Sequence, residues 1–97
     1  MLRAIVLHPD DNVATLIDAG RATQSVQLAG ESTGHLELLA DVPFGHKCAV
    51  SPIAKGDAIR KYGQVVGRAT ADIRTGDHVH VHNVEALRGR GDIPEKL

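Results

Sequence analysis

Three histidines alternate with valines near the end of the chain, in the stretch DHVHVHN. Side chains of a β-strand point alternately to its two faces, so His78, His80 and His82 share one face and the valines between them share the other. Residues two apart on a strand are separated by about 6.6 Å. Two imidazoles at that spacing can bind one metal ion, provided that further ligands come from elsewhere.

The same alternation is also compatible with two roles that need no metal. An exposed sheet face carries histidine simply as a polar residue, and a buried face uses it for structural hydrogen bonds. A single ion held by all three imidazoles would require a bent strand. The spacing alone therefore leaves a metal or active site, an exposed face and a structural role open.

Two further stretches carry residue types suited to acid–base chemistry. In PFGHKCA, His46 and Lys47 follow a Pro-x-Gly turn, and a histidine beside a cation suits proton transfer or carboxylate binding. In RKYGQVVG, Lys61 and Tyr62 precede Gly63 and offer a cation and a phenol to an anionic substrate. The alternatives are a polar pair on a loop and a hairpin whose tyrosine covers the core.

The remaining reactive residue types predict ordinary roles. His8, His35 and the pair Asp10–Asp11 are typical of turns. The single cysteine, Cys48, is typical of a small strand residue and not of a nucleophile.

Composition excludes several classes of function. The chain has 97 residues, the size of one domain, with 42% hydrophobic residues and only two aromatic ones. A net charge of −1 provides no basic surface for nucleic acid. One cysteine permits no intrachain disulfide, and no apolar run reaches a signal peptide or the roughly 20 residues of a membrane span. We therefore expect a cytoplasmic protein without nucleic-acid or membrane partners.

Short apolar runs separated by glycine, proline and aspartate predict a mainly β fold. Strands are expected over 3–8, 25–30 and 35–42 and repeatedly in the second half of the chain. Residues 13–19 fit either a strand or a short helix, so the fold is expected to contain at most one helix. Residues 88–97 predict a flexible tail or a linker.

An internal repeat indicates symmetry within the second half of the chain. AVSPIAKGDAI at 49–59 and ATADIRTGDHV at 69–79 share the pattern A-x-x-x-I-x-x-G-D-x-[I/V]. Each copy offers a small residue for close packing, an isoleucine for the core and a glycine for a tight turn. Two copies predict a pseudo-symmetric β unit.

The sequence from residue 45 to residue 83 resembles the N-terminal SAF-like module of the altronate/galactarate dehydratase family. The pieces that carry the resemblance keep the family's order and spacing: G-H-K at 45–47, K-Y-G at 61–63, Gly67, A-T-x-D-I at 69–73 and G-D-H-V-H-V-H-N at 76–83. The first forty residues match more loosely. The histidine-rich stretch is closer to the altronate and sulfolactate branches than to the galactarate branch.

The resemblance implies a SAF-like β-clip domain over residues 1–87, followed by the tail at 88–97. It further implies the small subunit of a two-component sugar-acid dehydratase, inactive alone, with a large catalytic subunit as partner. Such a hydro-lyase removes water from a 2,3-dihydroxy acid to give a 2-keto-3-deoxy acid. A small subunit of sulfolactate sulfo-lyase is the related alternative, and the isolated chain could form a homo-oligomer.

The resemblance also implies site residues. A divalent metal such as iron or manganese, shared with the large subunit, would be bound by His80 and His82. The catalytic residues would be His46, Lys47, Lys61 and Tyr62. The substrate would be bound by Lys47, Lys61 and Asn83.

Two non-catalytic interpretations stay open on the sequence. One is a SAF-like module that binds a sugar acid or a partner protein. The other is an interaction domain whose histidines lie on an exposed edge.

Overall fold

The computed structural model describes residues 2–86, which form nine β-strands. There is no helix among them, and hence none long and apolar enough to cross a membrane. The strands are β1 (Leu2–Val6), β2 (Val13–Leu16), β3 (Ser25–Gly30), β4 (Gly34–Glu37), β5 (Lys47–Ala49), β6 (Ala58–Lys61), β7 (Gln64–Ala69), β8 (His78–Val79) and β9 (Val84–Ala86).

The strands form two sheets. The larger has the order β4-β3-β1-β2-β5-β8, in which β1 and β3 are parallel and the other neighbours are antiparallel. The smaller has the order β6-β7-β9 and is antiparallel. Strand β8 therefore lies at one edge of the larger sheet.

Two aliphatic cores lie on either side of β2 and β5. Alternate residues of these strands face opposite sides, so Ala14 and Cys48 join the first core while Val13 and Ala49 join the second. The first core contains Ala4, Val6, Ala14, Leu16, Val26, Leu28, Leu36, Leu38, Val42 and Cys48. The second contains Val13, Ala49, Ile53, Ile59, Ala69, Ile73, Val79 and Val84. The central strands are thus covered on both faces.

The internal repeat forms a pair of symmetric corners. Ile53 and Ile73 exchange both backbone hydrogen bonds at 2.8 Å. The N–H of Gly56 donates to the carbonyl of Ala69, and the N–H of Gly76 donates to that of Ala49. Both glycines have positive φ, +93° and +92°. The pseudo-symmetric unit predicted from the sequence is therefore present in the fold.

A second pair of corners repeats the same hydrogen bonds with little sequence similarity. Gly20 and Val42 exchange both backbone bonds, as the two isoleucines do. Gly45 (φ +81°) takes the position of the repeat's glycine, and its N–H donates to the carbonyl of Leu16. Thr23 takes that position in the fourth corner, with φ +75°. His46 follows Gly45 directly, so the second pair of corners fixes the position of a predicted site residue.

The fold class predicted from the sequence is confirmed, and the differences are local. Residues 13–16 form a strand and no helix. The strand predicted over 35–42 ends at Glu37. The predicted tail at 88–97 lies outside the described residues.

The two repeat glycines offer a matched test of the corner packing. An added Cβ at Gly76 would clash with the backbone carbonyl oxygen of Glu37, whereas one at Gly56 meets nothing within 4 Å. We expect Gly56→Ala to cost about 1–2 kcal/mol for its backbone conformation. Gly76→Ala should cost a further ~1–3 kcal/mol for the overpacking, measured by urea unfolding. Equal losses of stability in the two variants would contradict the close approach at Gly76.

Candidate functional site

The register of β5 against β8 determines which side chains share a face. Lys47 lies opposite Val79 and Cys48 opposite His78. Extending this antiparallel register by one residue places His46 opposite His80. Residues directly opposite each other project to the same face of a sheet. His46, His78 and His80 therefore lie on the side of Cys48, at the edge of the larger sheet.

The three imidazoles on this face are in contact. Nδ1 of His46 is 2.9 Å from Nε2 of His78. The rings of His46 and His80 are stacked with centroids 4.3 Å apart, and those of His78 and His80 are 5.4 Å apart. One ring nitrogen from each residue lies within 4.8 Å of the others. We call His46, His78 and His80 the histidine cluster.

The strand predicted through all three C-terminal histidines ends early. It stops at Val79, and a turn follows in which the N–H of Asn83 donates to the carbonyl of His80. Val79 is buried, but Val81 is 68% exposed. The prediction that the two valines share one strand face is therefore wrong at Val81. The His82 ring lies against that of His78, with centroids 5.2 Å apart.

The side chain of Asn83 holds this turn in place. Its Oδ1 accepts the backbone N–H of His80 at 3.0 Å, and its Nδ2 donates to the carbonyl of His78 at 2.9 Å. The residue is buried, with 9% of its surface exposed. Asn83 thus fixes the backbone on both sides of Val79, and its predicted contact with substrate stays a prediction.

Burial and mutual proximity keep His78 and His80 neutral. Burial and the neighbouring charges of His46, His82 and His80 lower the pKa of His78 to about 4. The pKa of His80 is lowered by burial and by the charges of His46, Lys47 and His82. Both imidazoles are therefore uncharged at neutral pH and can offer a nitrogen lone pair to a metal ion.

Lys47 lies on the opposite face from the cluster. It pairs with Val79 and with Thr15 on the side of the second core, and only 3% of its surface is exposed. Burial, together with the nearby charge of Lys61, lowers its pKa to about 8. Lys61 is half-buried at the end of β6. Among residues 2–86, no carboxylate forms an ion pair with either lysine.

Tyr62 follows Lys61 in the turn between β6 and β7, with the unusual φ of +59°. The residue is 63% exposed, and the centroid of its ring is 6.0 Å from Nζ of Lys61. Asp11 holds this turn: its carboxylate accepts the backbone N–H groups of Tyr62 at 3.0 Å and Gly63 at 2.8 Å. The carboxylate thus stabilises the strained backbone on which Lys61 and Tyr62 are mounted.

Asp11 and its neighbour Asn12 are positioning residues that the sequence pattern did not reveal. Asn12 Nδ2 donates to the carbonyl of Ala58, and Asn12 Oδ1 accepts the N–H of Arg60. The stretch HPDDN is typical of any turn, and nothing in it indicates partners about fifty residues away. The buried position of Asp11, 7% exposed, becomes visible only in the fold.

The structure divides the predicted site residues into two groups. His46 and His80 lie in the histidine cluster together with His78, while Lys47 lies on the other face of the larger sheet. Lys61, on β6 of the smaller sheet, is close enough for its charge to act on Lys47. Tyr62 accompanies Lys61. His82 is outside the group of converging nitrogens, and its role as a ligand stays a prediction.

The comparison with protein families assigns the domain. Residues 2–87 match the family described as "Altronate/galactarate dehydratase SAF domain". The match spans nearly the whole chain, so the protein belongs to this family, as the histidine-rich stretch and its neighbouring motifs predicted.

Similar proteins include a short lyase subunit and two much longer dehydratases. The chain is 33% identical over 88 residues to (2R)-sulfolactate sulfo-lyase subunit alpha of Chromohalobacter salexigens, covering 87% of this chain and 94% of that one. It is 42% identical over 83 residues to altronate dehydratase of Escherichia coli, covering 84% of this chain but only 16% of the dehydratase. Altronate dehydratase of Bacillus subtilis is 36% identical over 81 residues, which cover 84% of this chain and again 16% of the dehydratase.

The anchoring of the Tyr62 turn can be tested at Asp11. Asp11→Ala leaves two backbone N–H groups without their acceptor and should cost about 1–3 kcal/mol of unfolding free energy in a urea titration. Asp10→Ala is the matched control, because the side chain of Asp10 is 74% exposed. Its effect should stay within about 0.5 kcal/mol. Similar stabilities for the two variants would refute the anchoring role.

The proximity of the two lysines predicts a shift in titration. Lys61→Met removes a positive charge that disfavours protonation of Lys47, so the pKa of Lys47 should rise from about 8 towards its ordinary 10.5. NMR titration of the lysine side chains of the metal-free protein measures this. Lys55→Met, in the exposed turn of another corner, should leave the value unchanged. An unchanged Lys47 pKa in Lys61→Met would show that the two amines do not interact.

Proposed function

We propose that this protein is the small subunit of a two-component sugar-acid dehydratase. It would contribute the histidine cluster and the lysine pair to an active site completed by a large catalytic chain. The observation that carries the proposal is the convergence of His46, His78 and His80 within a domain of the altronate/galactarate dehydratase SAF family.

The donor set of the cluster fits a divalent transition metal. Two nitrogens bound to one ion at about 2.0–2.1 Å lie about 3.0–3.4 Å apart. The separation between His46 and His78, 2.9 Å, is close to this range, and the three donors lie within 4.8 Å. Three imidazoles suit iron or zinc and leave further positions for substrate and for oxygen ligands from the partner, which manganese would require. His46, His78 and His80 would hold the ion.

The bound metal would stabilise the negative charge that develops when a proton is removed next to a carboxylate. Lys61 would pair with the substrate carboxylate. Lys47 is buried on the face opposite the cluster, so its predicted catalytic role would be electrostatic, through the charge that lowers the pKa of His80. Tyr62 would orient the carboxylate beside Lys61, and Asn83 would hold the His80 backbone.

These roles correspond to the loss of water from a 2,3-dihydroxy acid. The C2 proton passes to the base, the C2–C3 double bond forms and the C3 hydroxyl departs with a proton. The resulting enol becomes the 2-keto-3-deoxy acid. A chain with two aromatic residues and two aliphatic cores has little means of enclosing such a polyhydroxy acid, so the large chain would supply most of the pocket.

A second candidate is the small subunit of a sulfolactate sulfo-lyase, in which sulfite departs instead of hydroxide. The observation that favours it is coverage, because this chain matches 94% of the sulfo-lyase alpha subunit at 33% identity. The same cluster and lysine pair would serve both eliminations. Only the leaving group distinguishes the two candidates.

The test is an assay of the natural complex. The tagged protein is purified from its native cells, the co-purifying large chain is identified by mass spectrometry, and the complex is assayed on altronate, galactarate and sulfolactate. We expect His46→Ala, His78→Ala and His80→Ala each to lower turnover and metal content by about 100-fold or more. His35→Ala, an exposed histidine on β4, is the control and should change neither.

Full turnover and full metal content in the three cluster variants would remove the histidines from the site. A complex without activity on any of these acids would instead favour the non-catalytic binding module.

A further inference from the structure

Two tight turns carry large apolar residues at their tips. In the first, the N–H of His46 donates to the carbonyl of Pro43, so Phe44 occupies the second position of a β-turn. In the second, the N–H of Asn83 donates to the carbonyl of His80, and Val81 occupies the same position. Phe44 is 70% exposed and Val81 is 68% exposed.

The two turns lie at the same end of the antiparallel β5–β8 pair. His46 is the last residue of the first turn and His80 is the first residue of the second, and their rings are stacked at 4.3 Å. The pairing of β5 with β8 therefore brings the turns together at the edge of the sheet. Phe44 is two residues from His46 and Val81 is next to His80, so each is close in the chain to an imidazole that would hold the metal.

Local folding does not explain why these residues are apolar. Both turns are fixed by further hydrogen bonds. In the first turn the N–H of Gly45 donates to the carbonyl of Leu16, and in the second the side chain of Asn83 binds the backbone of His80 and His78. The cores are aliphatic, and neither Phe44 nor Val81 packs in them. Exposed apolar side chains gain free energy when a partner removes them from water, and such residues at the centre of an interface contribute most to its affinity.

We infer that the turns Pro43–His46 and His80–Asn83 form the docking surface for a large lyase chain. This inference rests on the proposed function and adds the location of the interface. The cluster then lies within the interface, with Phe44 and Val81 as its apolar contacts, and the partner closes the metal site.

The chemistry of this edge indicates one kind of occupant. Three imidazoles leave an ion incompletely coordinated, so a protein that covers them must supply further ligands. In E. coli altronate dehydratase the matching segment is 16% of a longer chain, which indicates a larger polypeptide as the neighbour.

The experiment measures binding of the purified large chain to variants of this protein. Phe44→Ser/Val81→Ser should weaken binding by about tenfold or more in isothermal titration calorimetry, because apolar contacts at the centre of an interface dominate its energy. Val65→Ser is the matched control, since Val65 is 42% exposed on β7, outside both turns. Its affinity should equal that of the unmodified protein. Unchanged thermal unfolding of each variant ensures that a loss of binding is not a loss of fold.

The outcomes separate this inference from the proposed function. If the double variant binds the large chain with unchanged affinity and the complex is active, the interface lies elsewhere. That result overturns the inference and leaves the proposed function standing. Lost binding by the double variant in a complex without lyase activity would support the docking surface and refute the proposed function. The inference would also be overturned if the two turns bind a second copy of this chain. Light scattering would then detect a dimer of the unmodified protein that the double variant does not form.

Discussion

The antiparallel register between β5 and β8 is the constraint on which the candidate site depends. A slip of one residue would move every side chain of β8 to the other face of the sheet and separate His78 and His80 from His46. The symmetric corners hold this register, because Gly76 and Asp77 exchange backbone hydrogen bonds with Ala49 immediately beyond the paired residues. The glycine at the corner is therefore part of the scaffold that brings the imidazoles together.

The same sheet separates two groups of basic residues that influence each other electrostatically. The imidazoles lie on one face and Lys47 lies on the other, yet the charge of Lys47 contributes to the lowered pKa of His80. Burial and crowding favour the neutral forms of His78 and Lys47. Neutral nitrogens are what metal binding requires, so the packing that lowers the pKa of His78 also suits the cluster to the proposed metal site.

Hydrogen-bonded turns hold the predicted site residues, and no helix takes part among residues 2–86. Asn83 fixes the turn after β8 through two side-chain hydrogen bonds, and Asp11 fixes the turn after β6 through two more. Both residues are buried, and both bind backbone groups. Because the two aliphatic cores are formed within residues 2–86, the domain is a self-contained support. This is consistent with the relatives, in which the segment that matches this chain makes up 94% of the length of one protein and 16% of the length of another.

The sequence by itself determined the mainly β class, the family and one pair of corners, because alternation, glycine turns and local motifs are short-range signals. It also indicated His46, Lys47, Lys61 and His80 as reactive residues. Only the tertiary structure brought His46 into contact with His78 and His80, ended β8 at Val79 and showed the buried role of Asp11. These features depend on contacts between residues far apart in the chain. The second pair of corners was hidden for a related reason: backbone hydrogen bonds define it, and Gly20 and Thr23 satisfy them without resembling the residues of the first pair.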